Sequence, residues 1–239
     1  MRFLLAETLT DQAAGFDHIN QVVPQVGLHQ LALALVPGGG RLIKTHELYR
    51  KEYARAIYLV RDVRDAMLSL YDRGKSVGVF NGMALDIFVP LFLKGEINTI
   101  GPWASHVRAW LDSPLAARGD LLLVRFEDMR RDTVATLTRV LEFLGVSVEE
   151  RKIRNAVAAN SVDRMRAKED ASRFLPQSPE ESGRFVRSAS VGGWRSRLTE
   201  EQAKLVDHYA AAELKRLGYA LSEPSGPWSA NQPPAWQKT

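Results

Sequence analysis

The sequence predicts an α/β fold, a single domain in which helices flank a central parallel sheet as a three-layer sandwich. Three observations lead there. Short apolar or β-branched runs at 41–45, 56–60 and 121–124 have the pattern of buried strands rather than of amphipathic helices. The second run turns at once into helical periodicity, and the third is followed by a helical stretch at 132–144. Each run also delivers polar groups at its carboxyl end, which is where open α/β sheets bind ligands. Repetition of strand, polar end and helix calls for right-handed parallel connections.

With 239 residues and 45% hydrophobic content the chain can bury one substantial core. No linker divides it, so one domain is expected over 1–221, followed by a Pro- and Ser-rich tail at 222–239 that should be disordered despite Trp228 and Trp236. The formal charge of +4 permits acidic partners. Basic residues alternate with carboxylates along the chain, however, and the nucleic-acid-binding motifs are absent, so no nucleic-acid partner is expected. The absence of cysteine excludes disulfides, thiolate catalysis and cysteine-ligated metals. His18, His29, His46, His106 and His208 show no metal-ligand spacing. No apolar run approaches ~18 residues and 3–6 is too short for a signal-peptide core, so a soluble, cytoplasmic protein without a membrane partner is expected.

In chain order, 1–9 reads as a helix fragment with nothing before it to cap it, 11–25 as loop, and 26–36 as a helix ended by Pro37. The glycines at 38–40 lack G-x-x-x-x-G-K-[ST] and enter a strand, so they form a turn, not a phosphate loop. Strand 41–45 ends in Lys44, Thr45 and His46; strand 56–60 ends in Arg61 and Asp62. Asp62 is a good N-cap, with Asp65 three residues on where a capping carboxylate sits. Val63, Met67 and Leu70 make that helix's buried stripe, Ser69 lies toward the face of Asp62 and Asp65, and Arg64 is a surface partner of those aspartates. A flexible link follows at 74–82, then an apolar stretch at 84–93, buried or facing substrate. An amphipathic helix at 103–111 turns Trp103, Val107, Trp110 and Leu111 inward.

After strand 121–124 stand Phe126, Glu127 and Asp128, then the helix stopped by Gly145. Short helices occupy 151–159 and about 161–168, and 170–183 reads as a long loop able to act as a lid. Thr199 and Gln202 form a capping box for the last helix, 199–217, which Gly218 ends.

The stretch 41–73, RLIKTHELYRKEYARAIYLVRDVRDAMLSLYDR, concentrates the chemistry. A helix N-terminus following a strand attracts anions. Arginine keeps its charge and grips a phosphate through two N–H groups, serine adds a hydrogen bond, and imidazole, with an ordinary pKa of about 6.5, suits a general base at neutral pH. Each has a bland alternative: a backbone-bonded His46, a solvated Lys44, an Arg61 salt bridge to Asp62 or Asp65, and a solvated Ser69.

KTH, followed by a strand and then R-D-x-R-D-x-x-x-S, resembles the sulfotransferases that use 3′-phosphoadenosine-5′-phosphosulfate (PAPS), whose fold is P-loop-nucleotide-hydrolase-like. The segments 121–146 and 186–202 extend the match through most of the chain in family order. The resemblance implies PAPS as co-substrate without a metal, and a small-molecule or glycoconjugate acceptor with a hydroxyl or amine. It implies His46 as general base, Lys44 as stabiliser of charge on the transferring group, and Arg61 and Ser69 as ligands of the 3′-phosphate. Phe126 stands where many relatives carry tyrosine, and Val162 where many carry a phenylalanine that stacks on adenine. Arg187, Ser188 and Ala189 occupy the place of the family's phosphate-binding R-K-G, and Gly192, Gly193 and Trp194 that of its G-D-W, with Trp194 structural.

The family's P-K-[SA]-G-x-T-W loop, which holds the 5′-phosphosulfate, does not occur in these 239 residues. The expectation is therefore that the N-terminal strand and loop are missing, that the natural protein starts upstream of Met1, and that this form is nearly inactive. A non-catalytic protein that binds a nucleotide bisphosphate or interacts with a partner is the rival reading; a nucleotide kinase is disfavoured by the lack of a Walker A sequence. The sequence specifies neither the acceptor nor an oligomeric state.

Overall fold

The computed structural model describes residues 1–27, 33–97, 99–175, 184–187 and 189–222. In chain order the elements are α1 (Arg2–Thr10), α2 (Ile19–Val22), β1 (Ala34–Val36), β2 (Gly40–Arg41), β3 (Ala56–Val60), α3 (Val63–Ser76), α4 (Leu85–Lys94), α5 (Trp103–Leu111) and α6 (Pro114–Arg118). There follow β4 (Leu121–Arg125), α7 (Phe126–Arg131), α8 (Thr133–Phe143), α9 (Glu150–Ala159), α10 (Val162–Asp170) and α11 (Glu200–Arg216). The predicted α/β class, a parallel sheet with helices, holds. The chain divides into two compact units: Met1–Glu47 with Leu122–Ala189, and Leu48–Leu121 with Ser190–Thr239.

In the first unit, Ala6, Ala14, Ile19 and Val23 form a buried cluster, with Phe3, Val22, Leu35 and Leu42 packed against it. The helix expected at 26–36 is overturned at its end: residues 34–36 are β1, antiparallel to β2, while 28–32 lie outside the described residues. Between the two strands, Gly38 and Gly39 take φ of 75° and 76°, which lets the chain double back without the strain that an alanine or leucine would carry there. Hairpin closure there outweighs the helix propensity of Ala and Leu. The strand expected at 41–45 is also shortened: Arg41 ends β2, and Lys44 forms an isolated parallel bridge with Gln25. That bridge rests on two 2.8 Å bonds, Lys44 N–H to the Pro24 carbonyl and Val26 N–H to the Lys44 carbonyl.

Local capping sets the helices of this unit. The Asp132 carboxylate accepts the Ala135 N–H at 2.9 Å to start α8, and Gly145 at φ 72° follows its end. The Ser161 hydroxyl caps α10. Buried Glu7 is satisfied by the Ala14 N–H at 2.9 Å, the Asn160 amide at 2.6 Å and the Lys168 ammonium, so one carboxylate fixes α1 against the ends of α9 and α10.

In the second unit, the Ala56 N–H donates to the Asp120 carbonyl at 2.9 Å, at the start of β3. Asp62 caps α3 as predicted, its carboxylate accepting the Arg64 N–H at 3.0 Å. The buried stripe is Val63, Met67, Leu68 and Tyr71, while Leu70, predicted inside, is 36% exposed. The stripe follows i, i+4, i+5 and i+8, which rotates position i+7 outward. Phe88 of α4 is the hub of an aromatic cluster, with ring centroids 5.0 Å from Tyr71, 5.1 Å from Phe80 and 5.9 Å from Phe92. Helix α11 starts at the predicted capping box of Thr199 and Gln202 and packs on α3, α4 and α5.

Candidate functional site

Strand β3 buries Tyr58 and Val60 and delivers Arg61 where it stops. Asp62, at φ −46° and ψ 122°, turns the chain directly into α3. The Arg61 side chain is mostly buried; its Nη2 donates to the Ser190 carbonyl at 2.8 Å and lies 3.8 Å from the Asp65 carboxylate. Ser69, half-buried, shares the helix face of Asp62 and Asp65 through the i, i+3, i+7 spacing. Arg61 and Ser69 thus belong to one strand–helix unit, as the sequence predicted.

The first turn of α3 carries a device that sequence reasoning missed. Arg64 is not a surface residue: it is 1% exposed, its Nε and Nη2 grip Asp62 at 2.9 and 2.7 Å, and Nη2 also donates to the Ala220 carbonyl at 2.8 Å. Its guanidinium lies 3.9 Å over the ring of Trp194, which is itself buried, in keeping with the structural role expected for that tryptophan. Asp65, 4% exposed, accepts the Gly192 N–H at 2.6 Å and the Trp194 N–H at 2.9 Å. Lower on α3, Asp72 takes both forks of Arg197 at 2.6 and 2.7 Å. The available signal was the G-G-W run; its partners in α3, Arg64 and Asp65, read from sequence only as a surface charge and a capping carboxylate.

The remaining candidates belong to the first unit. The Thr45 hydroxyl accepts the Glu47 N–H at 3.0 Å, a local turn that sets Lys44 half-buried and His46 exposed. Burial, and then the nearby charge of Arg2, hold the Lys44 ammonium below its ordinary value. Phe126 opens α7 and Val162 opens α10, both half-buried. Before Arg187, the Phe185 and Val186 N–H groups donate to Glu169 at 2.5 and 2.8 Å. Arg187 is half-buried, and Ser188 lies outside the described residues. Ala189 has φ 49°, a left-handed backbone that costs an alanine roughly 1–2 kcal/mol and would cost a glycine little.

The Lys44 shift has a sign that can be measured. The folded chain binds this proton less readily than the unfolded chain, so unfolding free energy should rise with pH as Lys44 deprotonates in the folded state below the ordinary 10.5. In Lys44→Met this contribution is lost, so the slope of melting temperature against pH should fall below the wild-type slope as pH rises toward 10.5; an unchanged slope counts against the burial effect.

Among the described residues no group of His, Cys, Asp and Glu could hold a metal, and no helix is long and apolar enough to cross a membrane.

Known proteins share the sequence pattern and the fold. A family model described as "Sulfotransferase domain" matches residues 30–218. Sulfotransferase 2A1 of Rattus norvegicus is 31% identical over 179 residues, which cover 71% of this chain and 62% of the relative. Sulfotransferase 2B1 of Homo sapiens is 26% identical over 199 residues, covering 79% of this chain and 52% of the relative. The chain thus spans less than two thirds of the length of these relatives. Among solved structures, mouse sulfotransferase SULT7A1 complexed with PAP superposes with a TM-score of 0.61 at 24% identity, over 73% of this chain and 66% of that one. Retinol dehydratase in complex with androsterone and inactive cofactor PAP gives 0.63 at 22% identity, over 80% and 57%. These structural likenesses establish the shared fold.

Proposed function

Because the chain belongs to the sulfotransferase domain family, we propose that it transfers a sulfuryl group from PAPS to a hydroxyl, or an amine, of a small-molecule or glycoconjugate acceptor. The proposed catalytic domain is 1–221. The observation that carries the reading is Arg61: a permanent cation at the carboxyl end of β3, mostly buried, beside the first turn of a 14-residue helix. With Ser69 on the same helix it offers a guanidinium and a hydroxyl, a donor set that fits the 3′-phosphate of the nucleotide. Lys44 fits an anionic ligand in another way, since an anion bound beside it would reverse the effect of burial and of Arg2 on its proton.

In the proposed reaction His46 takes the proton from the acceptor hydroxyl. The acceptor oxygen forms its bond to sulfur as the bond between sulfur and the 5′-phosphate oxygen breaks, leaving adenosine 3′,5′-bisphosphate. Such a transfer depends on positioning and on stabilising charge on the transferring group, which is the role given to Lys44. Arg187 and Ala189, with Ser188 between them, are assigned to the phosphate by their match to R-K-G, and Phe126 and Val162 to the adenine by theirs. Phe126 can pack on the base but cannot hydrogen-bond it.

Arg61→Ala should weaken adenosine 3′,5′-bisphosphate binding by at least ~1.5 kcal/mol, because it removes a charge-assisted partner of a phosphate. Ser69→Ala should cost less. Unchanged affinity of Arg61→Ala in calorimetry would remove the phosphate assignment. The lack of P-K-[SA]-G-x-T-W in these residues favours a second reading, binding of the bisphosphate without turnover. Transfer of [³⁵S]sulfate to a panel of hydroxyl acceptors separates the two.

A further inference from the structure

Arg61 does not set its own direction. Its Nη2 is fixed by the Ser190 carbonyl at 2.8 Å, and Ser190 begins the turn that runs through Gly192 and Gly193 to Trp194. That turn has a left-handed residue, Gly192 at φ 76°, and a short 3-10 helix over Gly193–Ser196. What pins it is the buried Asp65 carboxylate, one oxygen on the Gly192 N–H and the other on the Trp194 N–H. We propose that Asp65 is the positioning residue for Arg61: it fixes the 190–194 turn from beneath, and the Ser190 carbonyl of that turn aims the guanidinium. The inference rests on the reading of Arg61 as a phosphate ligand.

The chemistry favours an aspartate in this place. Asp65 Oδ2 lies 3.8 Å from Arg61 Nη2, beyond hydrogen-bond range, while both its oxygens are bonded to backbone N–H groups. A bidentate Asp65–Arg61 pair would compete with a phosphate for the same two N–H groups. By bonding the turn instead, the carboxylate keeps a counter-charge near the guanidinium without occupying its fork. Its position in the first turn of α3 suits a negative charge as well. Asparagine has the same shape but one acceptor oxygen, so its NH₂ group would face one of the two backbone N–H donors.

The test is a double-mutant cycle read as calorimetric affinity for adenosine 3′,5′-bisphosphate, using the 239-residue chain as wild type, Arg61→Ala, Asp65→Asn and the double variant. The expected result is at least tenfold weaker binding for Asp65→Asn, and a double variant within about threefold of Arg61→Ala alone. A loss from Asp65→Asn that multiplies in full onto that of Arg61→Ala is what a purely structural aspartate gives, and it overturns the proposal. Wild-type affinity in Asp65→Asn beside a weak Arg61→Ala overturns the positioning role alone. Wild-type affinity in Arg61→Ala, or no binding by the wild type, overturns the phosphate reading and the positioning role with it. Should Asp65→Asn fail to fold, amide exchange in the wild type decides: saturating bisphosphate should slow Gly192 and Trp194 at least tenfold, and unchanged exchange at both sinks the proposal.

Discussion

Arg64→Ala should lower the unfolding free energy by about 3–5 kcal/mol, the usual consequence of removing one member of a buried ion pair. The loss has three sources that the structure names. Asp62 keeps its charge but loses the two side-chain bonds from Nε and Nη2; the Ala220 carbonyl loses its donor; and the face of Trp194 loses the planar group packed on it. Urea unfolding gives the measurement. Arg64→Met combined with Asp62→Asn should recover at least about 1 kcal/mol relative to Arg64→Met alone, since asparagine still caps α3 and leaves no uncompensated charge. A cost below about 1 kcal/mol for Arg64→Ala would show that the pair is solvated in the native protein.

His46→Ala should reduce sulfate transfer by about 10²-fold or more while leaving adenosine 3′,5′-bisphosphate affinity close to wild type, because a base acts on the acceptor and not on the nucleotide. The His46 side chain is exposed, so its truncation leaves no cavity in the core. Transfer of [³⁵S]sulfate, run beside calorimetry, reads both quantities. Near-normal turnover in the variant would take His46 out of the reaction; a parallel collapse of nucleotide affinity would make it a binding residue instead.

What the sequence made legible was what short-range bonding decides. Asp62, and Thr199 with Gln202, start their helices through bonds to residues two or three positions on, and those signals were read; Asp132 caps α8 in the same way. Ser113 before Pro114 starts α6 through the Ala116 N–H by the same chemistry, yet α6 was not recognised. Phe126 to Asp128 read as the polar end of a strand, although they form the first turn of α7. Two failures came from context. The Leu35–Val36 stretch has the composition of a helix end but is drawn into a hairpin by the glycines after it. Arg64 has the composition of a surface residue but finds its carbonyl partner 156 residues away.

The site divides along the same line. Lys44, His46, Arg61 and Ser69 are proposed because motif and spacing mark them. Asp65 was seen only as a capping carboxylate, since a carboxylate in the first turn of a helix looks the same whether its oxygens face water or hold a distant turn. Ala189 is intermediate: the departure from glycine was visible, and its left-handed backbone is one that glycine would adopt at little cost.

The tether at Arg64 also governs how this part of the protein can come apart. One guanidinium joins the head of α3, the ring of Trp194 and the Ala220 carbonyl just past α11. A fluctuation that frays the chain after α11 must break a bond to a buried cation, and one that lifts the 190–194 turn must uncover that cation's face. Neither segment can open alone at the low free energy usual for a turn or a chain end, so the two and the start of α3 behave as one cooperative unit. Slow exchange should therefore reach into loops that a backbone trace would mark as free to move, and a protease given either segment must wait for the larger opening.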